Sequence, residues 1–256
     1  MWVLETVAVA FGMYSVLPVP RVEWNERNMR WALAAFPLVG AVVGGVWCAA
    51  ASLCTALALP VMLRGALLCV VPVLVTGGIH LDGYADVSDA LASHAPPERR
   101  QAILRDPHCG AFAVIRLCVY FVMYLALCCA VEPTALCCVG MSFVLSRVLS
   151  AGLLTVLPMA DGSSLAKAFV SAADQRRVRN LLGILALLLA AATLWLGRYR
   201  GMAMLCAAAL VTVRYVRTAR REFGGVSGDL AGWFLVKAEF WMLAALVAVQ
   251  YMGAMS

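Results

Sequence analysis

The stretch that decides the fold runs from residue 32 to residue 59 and reads ALAAFPLVGAVVGGVWCAAASLCTALAL. It carries no charged side chain and exceeds the roughly 20 apolar residues with which a helix crosses a bilayer. The rest of the chain follows the same trend, since 64% of the 256 residues are apolar and only 13% are charged. In soluble globular proteins about half of the residues are apolar and about a quarter are charged. The composition therefore excludes a soluble or disordered protein and indicates an integral membrane protein.

Six further stretches are apolar enough to form spans. They lie near Val61 to Ile79, Ala111 to Val131, Pro133 to Leu157, Leu181 to Leu196, Met202 to Val216 and Leu230 to Tyr251. Because a helix satisfies its own backbone in lipid and no alternating barrel pattern occurs, we predict an all-α, polytopic transmembrane bundle of about seven spans. Residues 1 to 17 lack the basic start of a signal peptide and predict an additional membrane or interfacial helix. Residues 1 to 256 are treated as a single integral-membrane domain.

The distribution of charge predicts the orientation. Most of the 20 basic residues fall in the loops before the first, third, fifth and seventh spans, which share one side if the spans alternate. Basic loops remain in the cytoplasm, so this side is predicted to be cytoplasmic. The aspartates fall on the same side: Asp82, Asp86, Asp89, Asp106, Asp161, Asp174 and Asp229. Arginine-rich loops are usual in membrane proteins, so nucleic acid is not predicted as a partner.

The segment TGGIHLDGYADVSDA, residues 76 to 90, contains a cluster of three aspartates. If a helix continues from Asp82, then Asp82, Asp86 and Asp89 lie at i, i+4 and i+7 on one face. Like charges at this spacing repel one another unless a cation neutralises them, and all-oxygen ligands favour Mg²⁺ over zinc. The alternative is a solvated helix end with acidic residues near its start.

Two glycine-containing segments are candidates for binding phosphate. In RDPHCGAF, residues 105 to 112, Arg105 and Asp106 stand in a tight loop that could face a phosphate or be a simple turn. In GGVSGDLAG, residues 224 to 232, the predicted anion cradle is Gly225, Ser227 and Gly228, and a flexible turn is the alternative.

Several ionisable residues fall inside or beside apolar spans. Arg147 could hold a phosphate or pair with a buried carboxylate, and Lys237 with Glu239 indicates a network that faces the bundle. His80, two residues before Asp82, could be a base, a phosphate donor or a cap.

The sequence HLDGYADVSDA, residues 80 to 90, resembles the H-L-D-G-x-A-D-x-x-D-G/A signature of the adenosylcobinamide-GDP ribazoletransferases, the cobalamin (5′-phosphate) synthases. LPVP at 17 to 20, FPLVGA at 36 to 41, RDPHCGAF, Ser146-Arg147 and GGVSGDLAG with Glu239 resemble further family segments in the same order. The resemblance covers about residues 17 to 239. Ala90 and Ala113 stand where the family commonly has glycine.

The resemblance implies an enzyme that transfers α-ribazole, or α-ribazole 5′-phosphate, onto adenosylcobinamide-GDP and releases GMP. It implies Mg²⁺ as cofactor and a multi-pass protein of the cell inner membrane, with its active site facing the cytoplasm. Asp82, Asp86 and Asp89 would be the metal ligands. The base would be Asp229, Asp106 or His80, with Asp229 slightly preferred. Arg105 and Arg147, together with the Gly224 to Gly228 loop, would bind the diphosphate. A monomer and a homo-oligomer both remain open.

Two other classes of protein share some of these features. The CDP-alcohol phosphotransferases place aspartates at a membrane helix end in the form D-x-x-D-G-x-x-A-R, but this chain lacks the leading aspartate, the arginine and the paired downstream aspartates. A secondary transporter predicts acidic residues near the midplane and internal repeats. Here the aspartates lie at loop ends, and we find no repeat.

Overall fold

The computed structural model describes residues 2–106, 108–160 and 164–254, and in these ranges the chain forms twelve α-helices and no β-strand. The helices are α1 (Trp2–Tyr14), α2 (Glu26–Met29), α3 (Ala32–Ala56), α4 (Val61–Thr76), α5 (Ile79–Ala92), α6 (Pro97–Ile103), α7 (Ala111–Ala130), α8 (Leu136–Leu154), α9 (Ser164–Ala172), α10 (Gln175–Gly197), α11 (Tyr199–Glu222) and α12 (Gly228–Ala254).

Six of these helices are long and apolar enough to cross a membrane: α3, α7, α8 with its preceding turn from Pro133, α10, α11 and α12. A seventh candidate is the pair α4 and α5, which is bent by 97°. The predicted helical membrane bundle of about seven spans is therefore confirmed. The helices α10 and α11 are longer than predicted, because their ends carry arginines that lower the hydropathy without ending the helix.

The bend between α4 and α5 lies at two consecutive glycines. Gly77 and Gly78 have φ of 67° and 82°, a left-handed conformation that glycine adopts readily and that ends α4 at Thr76, three residues before the predicted end. The backbone N–H of Val16 donates to the carbonyl oxygen of Val75 at 3.0 Å, which satisfies one of the free carbonyls at this helix end. The chain can therefore turn sharply into α5.

The N-terminal helix α1 has 13 residues and spans about 20 Å, short of the roughly 30 Å hydrocarbon core. Val9 and Ala10 are buried, whereas Leu4 is exposed. Since α1 packs on α3 by one side and is too short to cross, its length favours the interfacial alternative.

Glycine brings α3 and α8 into close contact. A Cβ atom at Gly40 would collide with the carbonyl oxygen of Phe143, and one at Gly44 with the carbonyl oxygen of Gly140. A Cβ atom at Gly45 would have no neighbouring atom within 4 Å, so of these three glycines Gly40 and Gly44 serve the packing of α3 on α8.

The turns between the spans gather at two opposite ends of the bundle. At one end, Arg200 Nη2 lies 2.8 Å from Glu132 Oε2 and Arg200 Nη1 lies 2.9 Å from Thr134 Oγ1, so the α10–α11 turn is tied to the α7–α8 turn. The other end carries α5, α6 and the starts of α7 and α12. This alternation is what brings the described aspartates to one end.

Candidate active site

The three aspartates of the predicted cluster lie on α5, as the spacing requires. Asp82 is exposed, and Asp86 and Asp89 are partly exposed, whereas Gly83 and Val87 on the opposite side are buried. The helix therefore buries its small and apolar face against the bundle. It turns its acidic face toward the polar end of the protein.

The start of α12 crosses α5 at two glycines. A Cβ atom at Gly83 would lie 2.6 Å from the carbonyl oxygen of Asp229, and one at Gly232 would lie 3.1 Å from the carbonyl oxygen of His80. Only glycine lets the two backbones approach this closely. The crossing brings Asp229 beside the acidic face of α5, and Asp86 has Asp82, Asp229 and Asp89 as its charged neighbours.

Asp89 also contacts the start of α7. The backbone N–H of Ala113 donates to Asp89 Oδ1 at 3.3 Å, and Gly110 packs directly against the carboxylate. The carboxylate thus satisfies one of the free N–H groups in the first turn of α7, where the helix dipole favours a negative charge. Asp89 therefore joins α5 to α7 as well as belonging to the acidic cluster.

The donor atoms at this crossing suit Mg²⁺, because the charged neighbours of Asp86 among the described residues are carboxylates. Among the described residues, however, no three acidic, histidine or cysteine side chains already stand in a metal-binding arrangement. Mg²⁺ is usually held by one or two carboxylates together with water and substrate phosphates, not by an all-protein cage. The donor set fits the ion in that mode.

The Gly224 to Gly228 loop is fixed in place by its neighbours. The N–H of Val226 donates to the carbonyl of Pro158 and the N–H of Ala160 to the carbonyl of Val226, both at 2.8 Å. Gly225 lies against the same 158–160 backbone, where a side chain would collide. Ser227 Oγ accepts from the N–H of Leu230 at 3.2 Å and so caps α12.

Of the predicted cradle residues, Gly225 and Ser227 therefore have structural roles in this conformation. Gly228 is exposed, and nothing lies within 4 Å of where its Cβ would be. Within the predicted cradle, open space therefore lies beside Gly228, which stands at the N-terminus of α12 and next to Asp229. Asp161, which follows the bridging 158–160 segment, lies outside the described residues.

The Arg105 and Asp106 segment is exposed and follows α6. Arg100 on α6 pairs with Glu222, and Gln101 Nε2 donates to the carbonyl of Phe223 at 3.0 Å, so α6 is held beside the end of α11. The two predicted phosphate segments are thereby attached to the same end of the bundle through α6 and α11.

The carboxylate of Asp106 is engaged by its neighbour. Asp106 Oδ1 accepts from the backbone N–H of His108 at 3.0 Å and lies 2.7 Å from His108 Nδ1. These hydrogen bonds, the backbone one first, hold the pKa of the exposed Asp106 carboxyl below its usual value. Asp106 is therefore charged over the whole physiological range.

Arg147 lies inside the bundle, in contact with a carboxylate. Its side chain is 1% exposed, and Nη1 lies 2.6 Å from Oε1 of Glu239 on α12. Ser146 Oγ donates to the same oxygen at 2.8 Å, and the carbonyl of Phe143 accepts from Arg147 at 2.8 Å. This arrangement is the second of the two alternatives for Arg147, pairing with a buried carboxylate; its role in binding phosphate stays a prediction.

His80 lies below the acidic face, away from solvent. It is 8% exposed, its ring stands near Tyr14 and Phe36, and its Nε2 has no hydrogen-bond partner within the described part of the chain. His80, Arg147 and Glu239 line one small cavity of about 20 Å³, room for about one water. The structure thus separates His80 from the exposed carboxylates.

Comparison with known proteins identifies the family of this chain. The family model described as cobalamin-5-phosphate synthase matches residues 6–247. A protein of Lachnoclostridium phytofermentans named adenosylcobinamide-GDP ribazoletransferase is 39% identical over 96% of this chain and 94% of its own length. The chain belongs to the cobalamin-5-phosphate synthase family.

Two further relatives match a similar share of the chain at lower identity. Proteins with the same name from Clostridium perfringens (strain ATCC 13124) and Geobacillus kaustophilus are 32% and 30% identical, over 92% and 96% of this chain and 94% and 97% of their own lengths. No solved structure matches the chain. The resemblance drawn from the motifs is confirmed, and the chain is a transferase of cobalamin biosynthesis.

Sequence reasoning missed two features that shape the site. The first is the glycine crossing of α5 and α12, although Gly83 and Gly232 both stand within the quoted motifs. The second is the partner of Arg147: Lys237 and Glu239 were predicted to form a network, but Glu239 contacts Arg147, whereas Lys237 lies 4.3 Å from the centroid of the Trp233 ring. No local pattern links residues 92 positions apart.

Proposed function

We propose that this protein transfers α-ribazole, or α-ribazole 5′-phosphate, onto adenosylcobinamide-GDP at the cytoplasmic face of the cell inner membrane. The products are adenosylcobalamin, or its 5′-phosphate, and GMP. Relatives named for this activity support the substrates. The observation that carries the proposal is the gathering of Asp82, Asp86 and Asp89 with Asp229 where α5 crosses the start of α12.

The reaction is a phosphoryl transfer. A hydroxyl oxygen of the α-ribazole unit forms a bond to the phosphorus that carries cobinamide, and the bond from that phosphorus to the bridging oxygen of the diphosphate breaks. GMP leaves with the bridging oxygen. The hydroxyl gives up its proton to a base. Such a reaction asks the protein mainly to position the reactants and to neutralise charge.

Asp229 is the preferred base among the three candidates. It is partly exposed at the crossing, beside the acidic face of α5. Asp106 already accepts two hydrogen bonds from His108, and His80 is buried beneath the surface. Since a base must come within hydrogen-bond reach of the hydroxyl proton, a partly exposed carboxylate beside the acidic face favours Asp229.

Asp82 and Asp86 would hold Mg²⁺, with Asp89 contributing through the oxygen that does not accept from Ala113. The ion, when bound, would neutralise the diphosphate and stabilise the negative charge that develops on its oxygens. The open N-terminal turn at Gly228 and the exposed Arg105 would contact the phosphates.

The experiment that tests this function uses the purified protein in lipid vesicles with adenosylcobinamide-GDP, α-ribazole 5′-phosphate and Mg²⁺. We expect GMP to appear in equal amount to the new corrinoid product. Removal of Mg²⁺ by a chelator should stop GMP release, and adding the ion back should restore it. Uptake of the corrinoid into the vesicles without GMP would contradict the proposal and support a transporter.

A further inference from the structure

A crevice opens between α11 and α12 on the outer surface of the bundle. Its volume is about 630 Å³, within the roughly 300–1,000 Å³ typical of ligand sites. The lining residues are Ala207, Leu210, Val211, Arg214, Trp233, Lys237, Trp241, Ala244, Ala245 and Ala248. Leu210 and Trp241 of this lining are exposed apolar side chains on two candidate spans, which places the crevice on the side that meets the bilayer. The acidic cluster is not part of its lining.

Two cations stand in this otherwise apolar crevice. Lys237 Nζ lies 4.3 Å from the centroid of the Trp233 ring, and the charged neighbours of Lys237 are Arg214 and Arg116, both of them basic. Within residues 2–106, 108–160 and 164–254, neither Arg214 nor Lys237 forms an ion pair with a carboxylate. Charges inside spans are costly and are nearly always paired. This group of cations therefore requires a counter-charge, which the described part of the chain does not supply.

The two cations lie at similar distances from the ends of their helices. Lys237 is about 13 Å along α12 from Gly228, and Arg214 is about 12 Å along α11 from Glu222. Their long side chains can extend from this depth toward the headgroup level. Farther along α12, the crevice is floored by small residues, Ala244, Ala245 and Ala248, beside the half-exposed Trp241. The crevice is thus cationic at one end and apolar along its length.

We propose that this crevice binds an anionic phospholipid of the surrounding membrane. The lipid phosphate contacts Arg214 and Lys237, and an acyl chain lies along the alanines of α12. Basic pockets between spans on the cytoplasmic side are a recognised site for acidic lipid headgroups. A zwitterionic lipid such as phosphatidylcholine carries its own cation beside the phosphate and therefore adds no net negative charge to compensate the two cations. This site is separate from the transfer reaction, and its test does not depend on turnover.

The test uses the full-length protein purified in a mild detergent, with phosphatidylglycerol or phosphatidylcholine added in turn. Retained lipid is counted by native mass spectrometry, and the melting temperature is recorded with each lipid. The variant is Arg214→Gln/Lys237→Gln. The matched control is Arg176→Gln/Arg179→Gln, which removes two exposed arginines from α10 at the same end of the bundle.

We expect the wild type and the control to retain phosphatidylglycerol and to melt at a higher temperature with it than with phosphatidylcholine. The crevice variant should bind it about 30-fold more weakly, since each of the two basic groups that contact the lipid phosphate contributes about a fivefold preference for anionic lipid. A second variant, Ala245→Phe, fills the crevice without changing its charge and should also lose the lipid. It keeps the test decisive if the double variant does not fold.

Two results would overturn the proposal. One is equal retention of both lipids by the wild type, or unchanged retention by the folded crevice variants. The other is displacement of phosphatidylglycerol from the wild type by soluble GDP, because the crevice would then be a nucleotide site.

Discussion

The buried ion pair between Arg147 and Glu239 leads to a quantitative prediction. Glu239→Leu removes the carboxylate and leaves a guanidinium that is 1% exposed without a counter-charge. Breaking a buried pair from one side costs about 3–5 kcal/mol. For a chain of this size the loss corresponds to a fall in melting temperature of about 6–10 °C.

Removing both partners should reverse most of that loss. Arg147→Met/Glu239→Leu exchanges the pair for apolar side chains, and such exchanges are often neutral or stabilising by about 1–4 kcal/mol. Melting temperatures of wild type, both single variants and the double variant, measured in the same lipid at one heating rate, complete a double-mutant cycle. If the double variant melts no higher than Glu239→Leu, the reasoning from burial and pairing is refuted.

The same double variant decides between the two roles considered for Arg147. If Arg147 only pairs with Glu239, GMP release by the double variant should remain within about threefold of the wild type. If the diphosphate binds the guanidinium, loss of this charged contact at the reacting group should cost about 100-fold or more. From its burial, we expect the first result.

Three further predictions concern the crossing, the exposed loop and the orientation. Gly83→Ala should lower turnover about 100-fold and stability by about 1–3 kcal/mol in GMP and melting assays, because its Cβ would lie 2.6 Å from the Asp229 carbonyl oxygen. Gly45→Ala, with open space around it in α3, should keep the wild-type rate and melt no lower than the wild type in the same assays. His108→Ala should raise the pKa of Asp106 toward its usual value, and an unchanged carboxyl titration by NMR would contradict this. A lowered pKa stabilises the folded state above the unfolded pKa, and that contribution is lost as the pH falls. The variant should therefore show a smaller loss of stability on acidification than the wild type. Reporter fusions in the 92 to 104 loop should read cytoplasmic, and a periplasmic signal there would overturn the orientation.

The spans and the acidic face could be predicted because each depends on local properties. Runs of apolar residues mark the segments that must lie in lipid. The spacing of Asp82, Asp86 and Asp89 places them on one face of any helix, whatever surrounds it. The end of α4 was misplaced by three residues because hydropathy continues through Gly77 and Gly78, whereas the backbone turns there.

The remaining features depend on contacts between distant parts of the chain. That Asp229 joins the aspartates of α5 follows from two glycines, Gly83 and Gly232, which permit a close crossing of helices far apart in sequence. That Arg147 finds Glu239 follows from the packing of α8 on α12. Neither contact is encoded in a local sequence pattern. The sequence alone therefore suggests which residues take part, but not which residues contact one another.

The most direct test of the central claim, that transfer takes place on the carboxylates at the α5–α12 crossing, is the rate of GMP release by three variants in lipid. Asp86→Asn and Asp229→Asn should each lower the rate by at least about 100-fold while membrane insertion and melting temperature are retained. Asp174→Asn should release GMP at the wild-type rate, because Asp174 caps α10 and asparagine caps a helix equally well. Near wild-type turnover by Asp86→Asn or Asp229→Asn would contradict the account.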